Sequence, residues 1–346
     1  MGIFSRISFR IADINHFLQK LTPTKITNFL LVMVSFYISR IRRKSTMPGL
    51  PVAVSVEPTT SCNLRCPHCV SGLRSFTRPT GMMETDLFDR VVGQLKKELI
   101  SMTLYFQGEP FLNPGFYDMV ALADRNRVYT VTSTNGHYLT EENAEKIIKA
   151  GLNRIIISVD NFEQEPYAAY RIGGNIETVR TGIQHLVKQR KKLRATNPLI
   201  ILQFLVNKFN EDKIGRMRSE SYRLGADKAD FKTMQIYGYE DGSPFIPESA
   251  KYSRYVKDRQ NRFSVKNRLF NHCWKMWHSC VITWDGKVLP CCFDKDGSHS
   301  LGTLNGISME GIWKSDSYQS FRNRILDDRK GIDICTNCSE GTKVWI

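Results

Sequence analysis

The chain has 346 residues, with 49 Lys and Arg against 34 Asp and Glu and a formal net charge of +15. Its composition, 41% hydrophobic and 24% charged, is that of a globular protein large enough for one α/β domain and a smaller appendage. Nine cysteines in two tight groups make a disulfide framework a poor explanation and predict metal or cluster ligation in a reducing compartment. The N-terminus lacks the pattern of a secretory signal.

The first 50 residues form a basic amphipathic segment with eight basic residues and one acidic residue. Residues 26–39 are an uncharged apolar run, and Arg40, Arg42, Arg43 and Lys44 follow it. A helix over this run would span about 21 Å, short of the ~30 Å hydrocarbon core, so a transmembrane helix is disfavoured. Two interpretations stay open, a helix at an anionic membrane surface or a helix packed on the protein's own core. No nucleic-acid partner is expected, because base-stacking aromatics are not interleaved with the basic residues.

From residue 51 onward the pattern alternates between extended and helical segments, which predicts a parallel sheet. Right-handed crossovers would curl such a sheet into a complete or partial barrel, with functional sites at the carboxyl ends of the strands. Polar, basic residues rich in turn formers indicate a linker over 237–270, between a core of 51–236 and a small cysteine-bearing module of 271–346. Strands are predicted at 52–57, 102–106, 128–133, 154–159, 199–206 and 227–235, and helices at 84–100, 115–126, 140–151, 175–193 and 211–224.

The first cysteine group has the spacing C-x3-C-x2-C and directly follows the first predicted strand. Its members are Cys62, Cys66 and Cys69. Three thiolates in one short loop can hold three irons of a 4Fe–4S cubane and leave the fourth iron open. Zinc is the alternative, but structural zinc sites usually need a fourth ligand, and His68 lies between the cysteines.

This loop after a first strand resembles the hallmark of the radical S-adenosylmethionine (SAM) superfamily. The resemblance implies a partial TIM-like (β/α)6 barrel of the α/β class. It also implies a 4Fe–4S cluster whose open iron chelates SAM, so that an electron cleaves SAM to a 5′-deoxyadenosyl radical. A flavodoxin- or ferredoxin-type protein would donate that electron.

A second motif, Gln107-Gly108-Glu109-Pro110, closes the second predicted strand and resembles the family's Gly-Gly-Glu-Pro motif, with Gln in place of the first Gly. Glycine permits a close backbone approach, and a carboxylate can accept hydrogen bonds from an ammonium group. The resemblance therefore implies that Gln107, Gly108 and Glu109 receive the amino group of SAM.

Polar residues also follow the third and fourth strands. By the same resemblance, Ser133 and Asn135 are candidates for ribose contacts. Ser158 and Arg171 match a pattern whose members contact the SAM carboxylate or ribose, although Asn161 stands where Gly is usual. Arginine suits a carboxylate because its planar fork donates two hydrogen bonds.

The C-terminal cysteines resemble a SPASM or shortened twitch module that holds one auxiliary 4Fe–4S cluster. By position, the implied ligands are Cys273, Cys291, Cys335 and Cys338, which leaves Cys280 and Cys292 spare. Asp285-Gly286 between apolar strands predicts a β-hairpin within this module. A zinc ribbon is the alternative, because paired thiols also suit Zn²⁺.

The implied activity is that of a radical SAM oxidoreductase or modifying enzyme that abstracts hydrogen from a substrate C–H bond, with no catalytic acid or base assigned. The short N-terminal segment favours a small, sugar-like or membrane-held substrate over a leader peptide. A peptide- or protein-modifying maturase is the first alternative. A non-enzymatic zinc or iron–sulfur protein anchored through its basic N-terminus is the second. The expected location is the cytoplasm, with peripheral contact of residues 1–50 at the inner membrane face.

Overall fold

The computed structural model describes residues 2–341, with side chains from residue 9 onward. Met1 of the predicted segment 1–50 and residues 342–346 of the predicted module 271–346 lie outside the described residues. The helices are α1 Gly2–Leu18, α2 Pro23–Arg42, α3 Val70–Leu73, α4 Thr85–Leu95, α5 Phe116–Arg125, α6 Glu141–Lys149, α7 Gln164–Tyr170, α8 Ile176–Lys192, α9 Ile214–Arg223, α10 Lys275–His278, α11 Met309–Trp313, α12 Asp316–Asp328 and α13 Asp333–Thr336. The strands are β1 Ala53–Val56, β2 Ser101–Thr103, β3 Tyr129–Thr134, β4 Arg154–Ser158, β5 Leu199–Val206, β6 Lys228–Thr233, β7 Tyr255–Lys257, β8 Phe263–Val265, β9 Ser279–Ile282, β10 Lys287–Leu289 and β11 Gly302–Thr303.

The chain divides into two compact units, and the first comprises residues 1–16, 62–75 and 131–266. Its strands run in the order β3-β4-β5-β6, and each is parallel to the next. The buried residues of β4 and β5 are apolar except for Ser158 at the end of β4, and the amphipathic helix α8 turns Val179, Ile183 and Leu186 into the interior. Sequential parallel strands joined by helices are the predicted α/β arrangement.

The second unit comprises residues 17–61, 76–130 and 267–346. Its strand order is β11-β10-β9-β1-β2, with β1 parallel to both β2 and β9. β9 and β10 form the predicted hairpin, and Gly286 in its turn adopts a φ of +85°. At the end of β1, the buried Glu57 carboxylate accepts hydrogen bonds from both terminal nitrogens of Arg78, at 2.9 and 2.5 Å. The chain entering the first cysteine loop is therefore fixed by a bidentate ion pair.

The segment predicted as a linker, 237–270, differs from that expectation. It contains the antiparallel hairpin β7–β8, and Tyr255 donates a hydrogen bond from its hydroxyl to the Ile236 carbonyl while accepting one from the Ile236 N–H. Ile246 and Tyr255 pack in one hydrophobic cluster with Leu64 and Cys66 of the first cysteine loop. The apolar residues that make this contact are few and widely spaced. The polar composition of the segment therefore predicted a linker where the structure has a folded hairpin.

The N-terminal segment folds as α1 and α2. One face of α2 is buried in the second unit, where Phe36 contacts the rings of Trp274 and Trp277 at centroid distances of 5.3 and 5.5 Å. Core packing, one of the two interpretations of this run, is therefore observed for that face. Among the described helices, no single one is long and apolar enough to cross a bilayer. Phe9–Leu18 and Pro23–Arg42 meet that criterion of length and composition only as a bent pair.

Candidate active site and auxiliary cysteine cluster

The first cysteine loop begins six residues after β1 and lies in the first unit. Cys66 is buried, and Cys62 and Cys69 are half-buried. The backbone of α3 passes directly beneath the loop, because a Cβ at Gly72 would lie 2.5 Å from the backbone nitrogen of Cys66. A glycine is thus required there for the helix to approach the loop.

Arg171 is held against Cys66 by a carboxylate. Its Nε donates a 2.6 Å hydrogen bond to Asp160 Oδ2, and its Nη1 lies 3.8 Å from Cys66 Sγ. Asp160 is itself fixed, since its Oδ1 accepts a 2.7 Å hydrogen bond from the Leu205 N–H. Burial raises the pKa of the Cys66 thiol, and the Arg171 guanidinium opposes that rise. The pair therefore places a positive charge where a thiolate must be stabilised.

A side-chain amide reaches a second cysteine of the loop. Asn135, which directly follows β3, donates from Nδ2 to Asn63 Oδ1 at 2.7 Å, and the same nitrogen lies 3.9 Å from Cys62 Sγ. The amide is oriented by His137, whose backbone N–H donates to Asn135 Oδ1 at 3.1 Å. His137 Nε2 in turn accepts a 2.9 Å hydrogen bond from the Asn175 N–H. Asp160 belongs to the stretch of the sequence that resembles the family pattern after the fourth strand, but no role could be assigned to it, to Asn63 or to His137, because their roles come from contacts between distant segments.

In the second unit, the predicted turn after β2 lies against the residues that precede the cysteine loop. Gly108 has a φ of +74°, and a Cβ there would be 2.3 Å from the Thr59 carbonyl oxygen. The Glu109 N–H donates a 2.7 Å hydrogen bond to the Ser61 carbonyl. Gln107 and Glu109 are both buried. This turn therefore makes the close backbone approach that the glycine predicts.

The two candidate serines lie in strands of the first unit. Ser133 is half-buried within β3, opposite Ile156 of β4, and so precedes the end of its strand. Ser158 is the last residue of β4, is buried, and pairs with Gln203 of β5. The structure brings Asn135 and Arg171 to the cysteine loop by direct contacts, and it places the serines on the neighbouring strands.

The C-terminal cysteines predicted as ligands share one small cavity in the second unit. It is lined by the thiols of Cys273, Cys291, Cys335 and Cys338 together with apolar side chains. Cys280 lies elsewhere, in β9 opposite Val54 of β1, and is buried there. The structure thus places the four cysteines that the resemblance implies as ligands around one cavity and Cys280 apart from them.

Two cations lie beside cysteines of this module, the buried Arg329 and the half-buried Lys275. Arg329 donates from Nη2 to Cys338 Sγ at 3.3 Å, and it is anchored by the carbonyls of His272 and Glu340, each at 2.8 Å. Lys275 Nζ lies 3.9 Å from Cys292 Sγ. Burial opposes the charge on Lys275, but the neighbouring thiols and the Glu340 carboxylate raise its pKa. Positive charge here would stabilise thiolates bound to a cluster.

The donor sets of the two cysteine groups are suited to iron–sulfur clusters. Throughout the described residues, no three His, Cys, Asp or Glu side chains converge closely enough to hold one metal ion. A tetrahedral zinc site needs four ligands within about 2.3 Å of a single point. The thiols of the two cysteine groups have N–H donors near their sulfurs, a donor set that suits the ligation of a cluster.

Comparison with known proteins agrees with this geometry. The Radical SAM superfamily model matches residues 56–214, and the SPASM model, an iron–sulfur cluster-binding domain, matches residues 273–339. The chain belongs to the radical SAM superfamily and carries a C-terminal SPASM domain. Its cofactors are accordingly SAM, the 4Fe–4S cluster that binds SAM, and auxiliary iron–sulfur clusters in the C-terminal domain.

Individual relatives are distant but cover most of the chain. The tungsten-containing aldehyde ferredoxin oxidoreductase cofactor-modifying protein of Pyrococcus furiosus is 26% identical over 82% of this chain and 86% of its own length. The PqqA peptide cyclase of Gluconobacter oxydans is 27% identical over 87% of this chain and 86% of its own. Streptococcus suis SuiB bound to S-adenosylmethionine superposes with a TM-score of 0.61 at 12% identity, over 84% of this chain and 73% of that one. The structural likeness confirms the fold, a partial TIM-like barrel.

Proposed function

We propose that Cys62, Cys66 and Cys69 hold the SAM-binding cluster. In this assignment, Arg171 and Asn135 supply N–H groups to the ligating sulfurs, and the turn of Gly108 and Glu109 receives the amino group of SAM. When bound, the cluster and SAM supply reductive cleavage and hydrogen abstraction from a C–H bond. The chain's own contribution is to fix these two N–H donors through Asp160 and His137, so that they are oriented before the cluster binds.

We also propose that Cys273, Cys291, Cys335 and Cys338 hold the auxiliary cluster and that Arg329 sets its potential. Arg329→Gln should lower the midpoint potential of this cluster by on the order of tens of millivolts, because a buried cation stabilises the more negative reduced form. The matched control is Lys330→Gln, which removes an exposed charge from the next position. Redox titration followed by electron paramagnetic resonance measures the shift. Equal potentials in the two variants would contradict the role of Arg329.

For the substrate, we propose a peptide or protein, so that the enzyme is a maturase. The observation that carries this proposal is the similarity to a PqqA peptide cyclase over most of both chains. The small, sugar-like substrate expected from the short N-terminal segment is less well supported, because the similarity to the peptide cyclase extends over 87% of this chain.

A cavity beside the first cysteine loop offers such a surface. It has a volume of about 520 Å³ and is lined largely by residues of the 243–266 segment, with the apolar Ile246, Val256 and Phe263 and the basic Lys257 among them. The same segment contacts the cysteine loop, since Ser243 Oγ lies 3.2 Å from His68 Nε2. Its volume falls within the range of about 300–1,000 Å³ that is usual for ligand pockets, so the cavity is large enough to receive side chains of a peptide.

Deuterium transfer separates the two substrate classes. An extract of source-organism cells grown on deuterated medium is given to the holoenzyme with SAM and dithionite, and deuterium in the 5′-deoxyadenosine formed reports hydrogen abstraction from a component of the extract. We expect prior protease digestion of the extract to abolish this transfer. An ultrafiltrate freed of peptides should then support none. Undiminished transfer after digestion would favour the small-molecule substrate instead.

We further propose that the enzyme receives its electron from a flavodoxin- or ferredoxin-type protein and works in the cytoplasm at the inner membrane face. Radical SAM enzymes use a reductant of this kind. The membrane part of this proposal is supported by the eight basic residues and single acidic residue among positions 1–50.

A further inference from the structure

Helix α2 has its polarity inverted relative to an ordinary surface helix. A helix of a globular protein normally turns its apolar stripe to the core and its polar face to water. In α2 the buried face is mostly polar, with Lys25, Asn28, Ser35 and Ser39 each at most 6% exposed. The solvent face carries large apolar side chains that are 37–84% exposed, namely Ile26, Leu30, Leu31, Val34, Tyr37, Ile38 and Ile41.

The buried polar groups of α2 fix this orientation. Lys25 Nζ donates a 2.5 Å hydrogen bond to the Arg127 carbonyl, and burial lowers the pKa of Lys25 to about 8. Asn28 donates to the Leu50 carbonyl and accepts from the Leu50 N–H, each at 2.9 Å. Rotation of the helix to hide its apolar side would leave these groups buried without partners, which is strongly unfavourable. The buried polar contacts of α2 therefore keep its apolar face exposed.

The charges around this apolar face indicate which kind of partner binds to it. Residues 23–50 contain no acidic residue, and Arg40, Arg42, Arg43 and Lys44 at the end of α2 are all exposed. A second copy of the same face offers no complementary charge, whereas anionic headgroups do. Tyr37 on the exposed face is of the type that favours the membrane–water interface.

We propose that α2 lies flat in the headgroup region of an anionic bilayer, with the apolar face from Ile26 to Ile41 toward the acyl chains and the polar face kept on the enzyme. This inference rests on the proposed membrane contact and assigns it to one helix face. A helix of twenty residues is about 30 Å long, enough for a continuous contact parallel to the surface.

The test is co-sedimentation of the holoenzyme with vesicles of phosphatidylglycerol and phosphatidylcholine, and with vesicles of phosphatidylcholine alone. The double variant Leu30→Gln/Val34→Gln should lower the partition coefficient on anionic vesicles by at least about tenfold, because two apolar contacts with lipid are lost. Arg42→Gln/Arg43→Gln should bind anionic vesicles more weakly and respond less to added salt. The control is Ile307→Gln, since Ile307 is 51% exposed at another place in the same unit.

The outcomes separate the two proposals. If wild type ignores both kinds of vesicle, the membrane contact itself fails. If wild type binds but Leu30→Gln/Val34→Gln binds equally well, the contact exists and its assignment to this face of α2 is overturned. If wild type does not sediment with vesicles but is dimeric by analytical ultracentrifugation, and Leu30→Gln/Val34→Gln is monomeric, the apolar face binds a second copy of the chain and the membrane assignment is overturned. Equal basal 5′-deoxyadenosine formation by all variants shows that the barrel is intact.

Discussion

Simultaneous replacement of Cys62, Cys66 and Cys69 by Ala is expected to abolish 5′-deoxyadenosine formation under dithionite. These three residues are the only cysteines of the sequence before Cys273, so the first unit has no other thiolate that could replace them. About four irons per chain should remain, because the auxiliary thiols belong to the separate C-terminal group. Iron analysis and chromatographic detection of 5′-deoxyadenosine on anaerobically purified protein measure both quantities.

The control for this triple variant is Cys280→Ala, which also removes a buried thiol but one that lies in β9 away from the predicted ligands. It should keep full SAM cleavage. Undiminished 5′-deoxyadenosine from the triple variant would show that the first cysteine group is not the SAM-binding site. A triple variant with no iron at all would instead indicate that the two sites depend on each other for assembly.

Much of the barrel could be predicted because its signals are local. Buried parallel strands are apolar runs, such as 199–206, and the helices between them have apolar residues at helical spacing. Five of the six predicted barrel strands overlap the observed ones by four residues or more, and the predicted helices end within a few residues of α5, α6 and α8. The cysteines and supporting residues could be named in advance because their motifs, which follow predicted strands, resemble those of the radical SAM superfamily.

What could not be predicted depends on contacts between distant segments. Asp160 holds Arg171, and Arg329 lies beside Cys338, only because the fold brings them together. The hairpin in 237–270 is stabilised by Tyr255 against Ile236, a contact that composition does not reveal. The apolar run 26–39 predicted a choice between lipid and core, but only the structure shows that its polar side faces the core.

The auxiliary site gives the second large effect. Cys335→Ala is expected to remove about half of the iron while leaving reductive SAM cleavage measurable, because the thiol lines the C-terminal cavity and is not part of the first cysteine loop. We expect conversion of the substrate to stop as well, because a redox-active auxiliary cluster can accept the electron that leaves the substrate radical on its oxidation. Iron content, Mössbauer spectra and 5′-deoxyadenosine yield are measured on the same preparation.

Two spare cysteines provide matched controls for this experiment. Cys280→Ala removes a thiol whose burial raises its pKa to about 12, and Cys292→Ala removes the thiol next in sequence to a predicted ligand. Neither lines the cavity that Cys273, Cys291, Cys335 and Cys338 share, so both variants should retain all of their iron. Cys280 is not a predicted cluster ligand, but its replacement by Ala leaves a small cavity beside β9. We therefore expect Cys280→Ala to lower the melting temperature modestly and to leave the iron content unchanged. Loss of a cluster from Cys280→Ala together with full iron in Cys273→Ala would reverse the ligand assignment.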